Sequence, residues 1–295
     1  MDLGSVFQIL LHTLPMVGIM ALSTLGITLT FRAANVANFA QSVLATIGAF
    51  VAAWMFREWG ASPWLALFGG IGVCFAVGGI IDMLIVGNLS TSSVGRVMIT
   101  LGLILIFTAV TPMIFGMIPY NLPRFFPGNF NFYLGERSFT MTRNGLFTFG
   151  LAGGIIGLIF LALNLTKWGL SVRATASNAT VASMMGVNTR RITAMSWAIS
   201  SACAALAAVL LGAQTTVVNA EMLVSVQSLA LLAFVMGGLS SFYGPVIGAL
   251  LIPITTAMLA IISGLWANVF LYTLVLLVIL LRPNGIFGKK TIEKV

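Results

Sequence analysis

Long apolar stretches alternate with short polar ones along most of the chain. Nine of them, at residues 6–30, 36–56, 64–86, 97–116, 144–166, 192–213, 225–239, 246–263 and 266–281, read as membrane-crossing or nearly so. A spanning helix takes about 20 apolar residues. The breaks between them are polar or turn-forming: Arg32 and Asn35, then Arg57, Glu58 and Pro63, then GNLSTSSVGR at 87–96. This pattern predicts an all-α fold, a polytopic transmembrane helical bundle of about eight to ten spans forming a single domain over 1–295. The breaks at 214–224 and 240–245 suit either loops or re-entrant turns, which sets the spread in the count.

Two segments depart from the alternation. Residues 117–143 hold three prolines, several aromatics and mixed charge, and read as one long loop with aromatics at headgroup level. Residues 167–191 carry Lys167, Arg173, Arg190 and Arg191 and no acid. A short helix is expected over 170–185, ended by Gly186, with Asn188 or Thr189 as the N-cap of the next span. Its small-residue face, Ala174, Asn178, Val181 and Met185, suits a partner's groove and an ordinary solvated loop helix equally.

Composition removes the soluble alternative. The 295 residues are 59% hydrophobic and 7% charged, against about 25% charged in soluble domains, and mean hydropathy is +1.09. The net charge of +8 is scattered singly, without the stripe that nucleic acid requires. Its asymmetry instead orients the chain. If 167–191 and the C-terminal tail are cytoplasmic, ten of the fourteen basic residues lie inside: Arg32, Arg96, Lys167, Arg173, Arg190, Arg191, Arg282, Lys289, Lys290 and Lys294. Arg57, Arg124, Arg137 and Arg143 then lie outside with Asp2, Glu58, Glu136 and Glu221, so the N-terminus and the 117–143 loop are expected to be periplasmic. Asp2 stands where a signal peptide would be basic, so the first stretch is expected to be a retained span.

Little chemistry is legible. Cys74 and Cys203 sit inside apolar runs and read as buried thiols. The lone His12 leaves no His cluster, and no metal or cofactor is expected. No Walker loop, HExxH or GxSxG motif occurs, so the chain reads as a non-enzyme that takes no energy from ATP by itself. Polar residues inside spans tend to face a cavity or a partner. Asn35, Asn38, Gln41 and Thr46 in the second stretch, Thr100 and Thr108 in the fourth, and Gln214, Asn219, Glu221 and Gln227 around the polar break are candidates for a translocation pathway or for helix–helix hydrogen bonds. Asp82 is expected to pair with Arg96 or a neighbouring subunit. The 31 glycines, several in pairs such as Gly69-Gly70 and Gly237-Gly238, fit close helix packing.

The segment RATASNATVASMMGVNTRRI resembles the cytoplasmic coupling loop of the LivH-type permeases, the membrane subunits of branched-chain amino acid ABC transporters. Three further segments are similar to that family in order and spacing: TLGITLTFRAANVANFAQSVLATIGAF at 24–50 with Asn38-Phe39-Ala40, MGGLSSFYGPVIGA at 236–249, and LRPNGIFG at 281–288. The resemblance implies a permease for branched-chain or other amino acids, or related small amides and urea, in the bacterial inner membrane, working by ATP-driven alternating access. It implies that Arg173, Ala174, Asn178, Ala182, Gly186, Val187 and Asn188 belong to a loop that docks on the ATPase. It also implies a second LivM-type permease subunit, two cytoplasmic ATPase subunits and a periplasmic binding protein as partners. Gln41-Ser42 stand where the family commonly has His-Gly, which leaves the solute open. An ion-coupled secondary transporter is the competing reading; it would place ionisable residues deep in spans, whereas acids here are few and near span ends. A scaffold subunit that does not itself transport is the third.

Overall fold

The structure, a computed structural model, describes residues 3–87, 93–134 and 137–288. Asp2, Glu136, Lys289, Lys290, Lys294 and the polar break at 88–92 lie outside the described residues. The chain builds α1 (Leu3–Ala34), α2 (Gln41–Trp59), α3 (Pro63–Ile81) with a π-helical turn Asp82–Val86, and α4 (Ser93–Phe115). Strands β1 (Tyr120–Asn121), β2 (Asn129–Leu134) and β3 (Arg137–Thr142) precede α5 (Arg143–Leu165). Then come α6 (Lys167–Ser177), α7 (Ala179–Met184), α8 (Thr189–Thr215), β4 (Val217–Val218), α9 (Val224–Gly237), α10 (Gly244–Ser263) and α11 (Ala267–Leu281).

The long helices run alternately between two ends of the bundle. At one end the Gln8 amide bonds both ways with the Thr140 backbone (2.6 and 3.1 Å), tying the start of α1 to β3. At the other, Arg96 Nη1 donates to Ala34 O at 3.3 Å and Arg190 Nη2 to Met83 O at 3.1 Å. These bonds join the end of α1 to the start of α4, and the end of α3 to the start of α8. Six described segments are long and apolar enough to cross a membrane, the last of them, Gly244–Leu281, being α10 and α11 joined by a 3-10 turn at Gly264–Trp266. Each of the nine apolar stretches read from the sequence corresponds to one long helix, within a few residues at either end. α9 is the short one, 14 residues, or about 21 Å at 1.5 Å per residue.

α1 and α8 form the centre. Their most apolar windows are 83% and 78% buried, against 17% for α4, α5 and the α10–α11 stretch. With no charged face, both are apolar nearly all round, as buried helices are. Some of their hydroxyls bond back to their own helix, as Thr28 Oγ1 does to Thr24 O at 2.7 Å, and others reach a neighbour, as Thr24 Oγ1 does to Ala230 O at 3.5 Å, while the hydroxyls of Ser196 and Ser201 are buried without a partner. Glycines allow the neighbours in. A Cβ on Gly70 would collide with the Gly48 carbonyl, and one on Gly48 would sit 2.7 Å from Cys74 Sγ and 2.8 Å from Ala205 Cβ. Thus α2 and α3 meet backbone to backbone, and α8 sets the Ala205 methyl against Gly48. Cys74 and Cys203 are both free and buried.

Two local expectations need correction. Residues 117–143 are more than a loop: β2 and β3 form an antiparallel hairpin with Phe132 opposite Phe139, and β1 pairs with β4. The three prolines all precede β2, while the segment after them alternates Asn129, Phe130, Asn131, Phe132, the period-2 pattern of a half-buried strand. Phe139 closes edge-on against Phe7 at 5.0 Å and pins the hairpin to α1. The single helix expected over 170–185 is instead two, α6 and α7, broken at Asn178, whose backbone is extended (φ −158°, ψ 106°).

Candidate functional site

The α6–α7 segment is built by capping. Thr166 Oγ1 accepts the Gly169 N–H at 3.1 Å and starts α6. Asn178 ends α6 with its own N–H on Ala174 O (3.1 Å) and starts α7 with its side-chain oxygen on the Val181 N–H (3.0 Å). A side-chain oxygen available two to three residues ahead is what an N-cap needs, so the break falls at this asparagine. At the far end Gly186 has φ +87°, with its N–H on Ser183 O and the Val187 N–H on Ala182 O, both 3.0 Å. That pair of bonds is a Schellman stop. Asn188 then caps α8, its side-chain oxygen accepting the Arg191 N–H at 3.1 Å. Gly186-Val187-Asn188 is therefore a stop followed at once by a start.

The segment has two faces. Val172 and Ala182 are fully covered and root α6 and α7 on the bundle. Leu170, Val181, Met184 and Met185 point away, Met184 and Met185 at 79% and 81% exposure. Arg173, Asn178, Gly186 and Asn188 are exposed, whereas Ala174 and Val187 are half-buried. The seven residues read from the sequence thus lie on one continuous element.

The candidate pathway residues do not gather in one place. Gln41 is buried in a knot between three helices: its Nε2 donates to Ser23 O at 2.8 Å, and its Oε1 lies 3.0 Å from Ser200 Oγ, which also reaches Gly26 O at 2.8 Å. Thr46, also buried, donates to Ser42 O at 2.9 Å within α2. Asn38 is buried with neither amide atom hydrogen-bonded, while its carbonyl accepts from Gln227 Nε2 at 3.4 Å. Asn35 takes the left-handed conformation (φ 53°) at the end of α1 and opens on a cavity of about 670 Å³ with Arg32, Arg96, Thr175, Asn178, Arg190 and Thr193 on its wall. Gln214 and Glu221 lie at the opposite, hairpin end. Gln214 accepts from Asn144 Nδ2 at 2.8 Å, and Glu221 is exposed. Thr100 is buried and donates to Val97 O at 2.8 Å.

Three residues absent from the sequence reading hold these groups. Ser200 anchors Gln41 across 159 positions. Asn144, fully buried, accepts the Phe125 N–H at 3.0 Å and donates to Gln214 and Ala213, fastening the loop to α5 and α8. Thr193 donates to Asp82 Oδ2 at 3.0 Å, so the buried Asp82 is held by a hydroxyl, with the expected Arg96 and also Arg190 attracting its carboxylate. Among the described residues no group of three or more His, Cys, Asp or Glu could hold a metal ion.

Fold and composition together define a multi-pass helical membrane protein with a capped helix pair projecting at one end. The chain belongs to the branched-chain amino acid transport system / permease component family, whose sequence pattern matches residues 9–280. It is 33% identical over 178 residues to the high-affinity branched-chain amino acid transport system permease protein BraD of Pseudomonas aeruginosa, covering 59% of this chain and 57% of that one. It is 36% identical over 143 residues to the corresponding LivH of Escherichia coli, covering 47% and 46%. The aligned part thus spans about half the length of these two relatives. A probable branched-chain amino acid transport permease protein LivH of Methanocaldococcus jannaschii is similar at 28% identity over 292 residues, 92% of this chain and 89% of that one.

Proposed function

We propose that this chain is the membrane-spanning permease subunit of an ABC importer, carrying branched-chain or other amino acids, or related small amides or urea, across the bacterial inner membrane by ATP-driven alternating access. The observation that carries the reading is the family match across residues 9–280. The orientation follows the charge: Arg32, Arg96, Lys167, Arg173, Arg190, Arg191 and Arg282 share the α6/α7 end, while Arg57, Arg124, Arg137 and Arg143 share the hairpin end. The richer end faces the cytoplasm.

In this reading α6–α7 is the element that docks on a cytoplasmic ATPase. Exposed methionines on an otherwise polar segment support it, because thioether side chains adapt to a partner's surface. Motion of the ATPases would pass through Val172 and Ala182 into the ends of α1, α5 and α8. A second LivM-type permease would complete the pathway. α5 offers Gly150, Gly153, Gly154 and Gly157 with open space beyond each, a surface on which another membrane helix can approach closely. Asn35, Asn38, Gln41, Thr46, Gln214 and Glu221 are proposed to act along the pathway, those that are now buried becoming accessible when the helices separate. A periplasmic binding protein would deliver solute at the hairpin end.

The test is purification of the tagged chain in mild detergent, with co-purifying proteins identified by mass spectrometry. A Walker-motif ATPase and a second permease are expected. A chain that purifies alone as a stable homo-oligomer would overturn the assignment.

A further inference from the structure

The cavity at the α6/α7 end has an unusual wall. Arg32 comes from the last turn of α1, Arg96 from the first turn of α4 and Arg190 from the first turn of α8, and among the described residues none on the wall is acidic. Three guanidinium groups around one space of about 670 Å³ repel one another. Each is nevertheless held in place by the protein: Arg32 Cζ stands 5.1 Å from the Phe242 ring centroid, Arg96 bonds Ala34 O and Arg190 bonds Met83 O. Among the described residues no ion pair within 4 Å joins Arg32 or Arg96 to a carboxylate, and the Nε of both is buried without a hydrogen bond. Asp82 lies behind the wall with its Oδ2 bonded to Thr193; its carboxylate attracts Arg96 and Arg190 and offsets part of the positive charge, leaving the three arginines in excess over one acid. The starts of α4 and α8 reach this space and so do the ends of α1 and α6, so the positive charge comes from the arginine side chains rather than from helix ends.

We infer that this cavity binds a phosphate-class anion, carried on a lipid headgroup or free in solution. Phosphate offers several oxygens and up to two negative charges, which suits three forked donors better than a single carboxylate does. Thr189, Thr193, Asn178 and Asn35 add neutral hydrogen-bonding groups to the same wall. Phe31, Ala33, Ala34 and Val86 supply an apolar side that would accept the carbon attached to a phosphodiester. Basic pockets at helix ends on the cytoplasmic side are a known chemistry for anionic headgroups. The headgroup reading rests on the cytoplasmic orientation proposed above, but not on which solute is carried.

The chain, purified in detergent, would be titrated with phosphatidylglycerol, phosphatidylcholine and inorganic phosphate while thermal stability is followed, and native mass spectrometry would count retained lipid. Phosphatidylglycerol is expected to stabilise and to be retained, with phosphatidylcholine inert. Arg32→Gln and Arg190→Gln should each weaken the effect roughly fivefold. Arg191→Gln, the same charge change outside this cavity, should not. Stabilisation by inorganic phosphate alone, equally sensitive to the two substitutions, would identify the free anion as the ligand. Should Arg32→Gln fold poorly, Arg32→Lys keeps the charge and should keep most of the effect. No stabilisation by either phosphate source, or equal sensitivity to Arg191→Gln, would overturn the proposal. So would loss of a co-purifying ATPase in the glutamine variants without any lipid effect, which would indicate a protein carboxylate.

Discussion

Gly186 sits at φ +87°, and a Cβ built there meets nothing within 4 Å. Any penalty for a side chain is therefore conformational, about 1–2 kcal/mol for an ordinary residue in the left-handed region. Gly186→Ala should lower the stability of the α7–α8 junction by about that much, and Gly186→Asn by less, since asparagine visits this conformation more easily. Thermal unfolding in detergent would measure the difference; an equal loss for both would mean that space, not backbone, is the constraint. This stop was legible in the sequence because a glycine followed by a capping asparagine is a local signal. The partners of Gln41 were not. Ser23, Gly26 and Ser200 are ordinary residues of apolar spans, and only the fold brings them together. Gly26 is part of the same constraint: a Cβ there would lie 2.8 Å from Gln41 Nε2 and 3.1 Å from Ser200 Oγ.

At the scale of elements, apolar runs bounded by polar breaks located nine helices, six of the described segments having the length and apolarity that a bilayer requires. Inside the two polar segments that signal was absent, and local chemistry decided. Asn178 splits the expected helix because its side chain competes for backbone N–H groups and caps better than it continues a helix. The β2–β3 hairpin escaped notice since prolines and aromatics in one segment also describe an interfacial loop. The two segments lie at opposite ends, which makes them reporters of orientation. Both native cysteines are buried, so engineered ones can be read cleanly. Tyr133 is 75% and Met184 79% exposed. A membrane-impermeant maleimide should label Tyr133→Cys on cells whose outer membrane alone is permeabilised, and Met184→Cys only after the inner membrane is opened. The reverse order would invert the proposed topology.

The whole molecule is a buried pair of helices, α1 and α8, wrapped by helices whose outer faces are apolar. Those faces suit lipid or another permease. The charge asymmetry of the sequence placed Arg32, Arg96 and Arg190 on one side, but with 158 positions between the first and the last it could not bring them to one cavity. Their convergence is a property of the alternating topology, which returns every second helix end to the same side. That topology also fits the proposed division of labour, in which ATP energy would arrive at the α6/α7 end and solute at the hairpin end. The most direct test is uptake of labelled leucine by cells lacking this chain, complemented with wild type or with Gly186→Pro, each verified by membrane abundance. The account predicts ATP-dependent uptake restored by wild type and not by Gly186→Pro, with solute capture by the binding protein unchanged. Uptake that survives loss of the chain, or that follows an ion gradient and ignores Gly186→Pro, would contradict it.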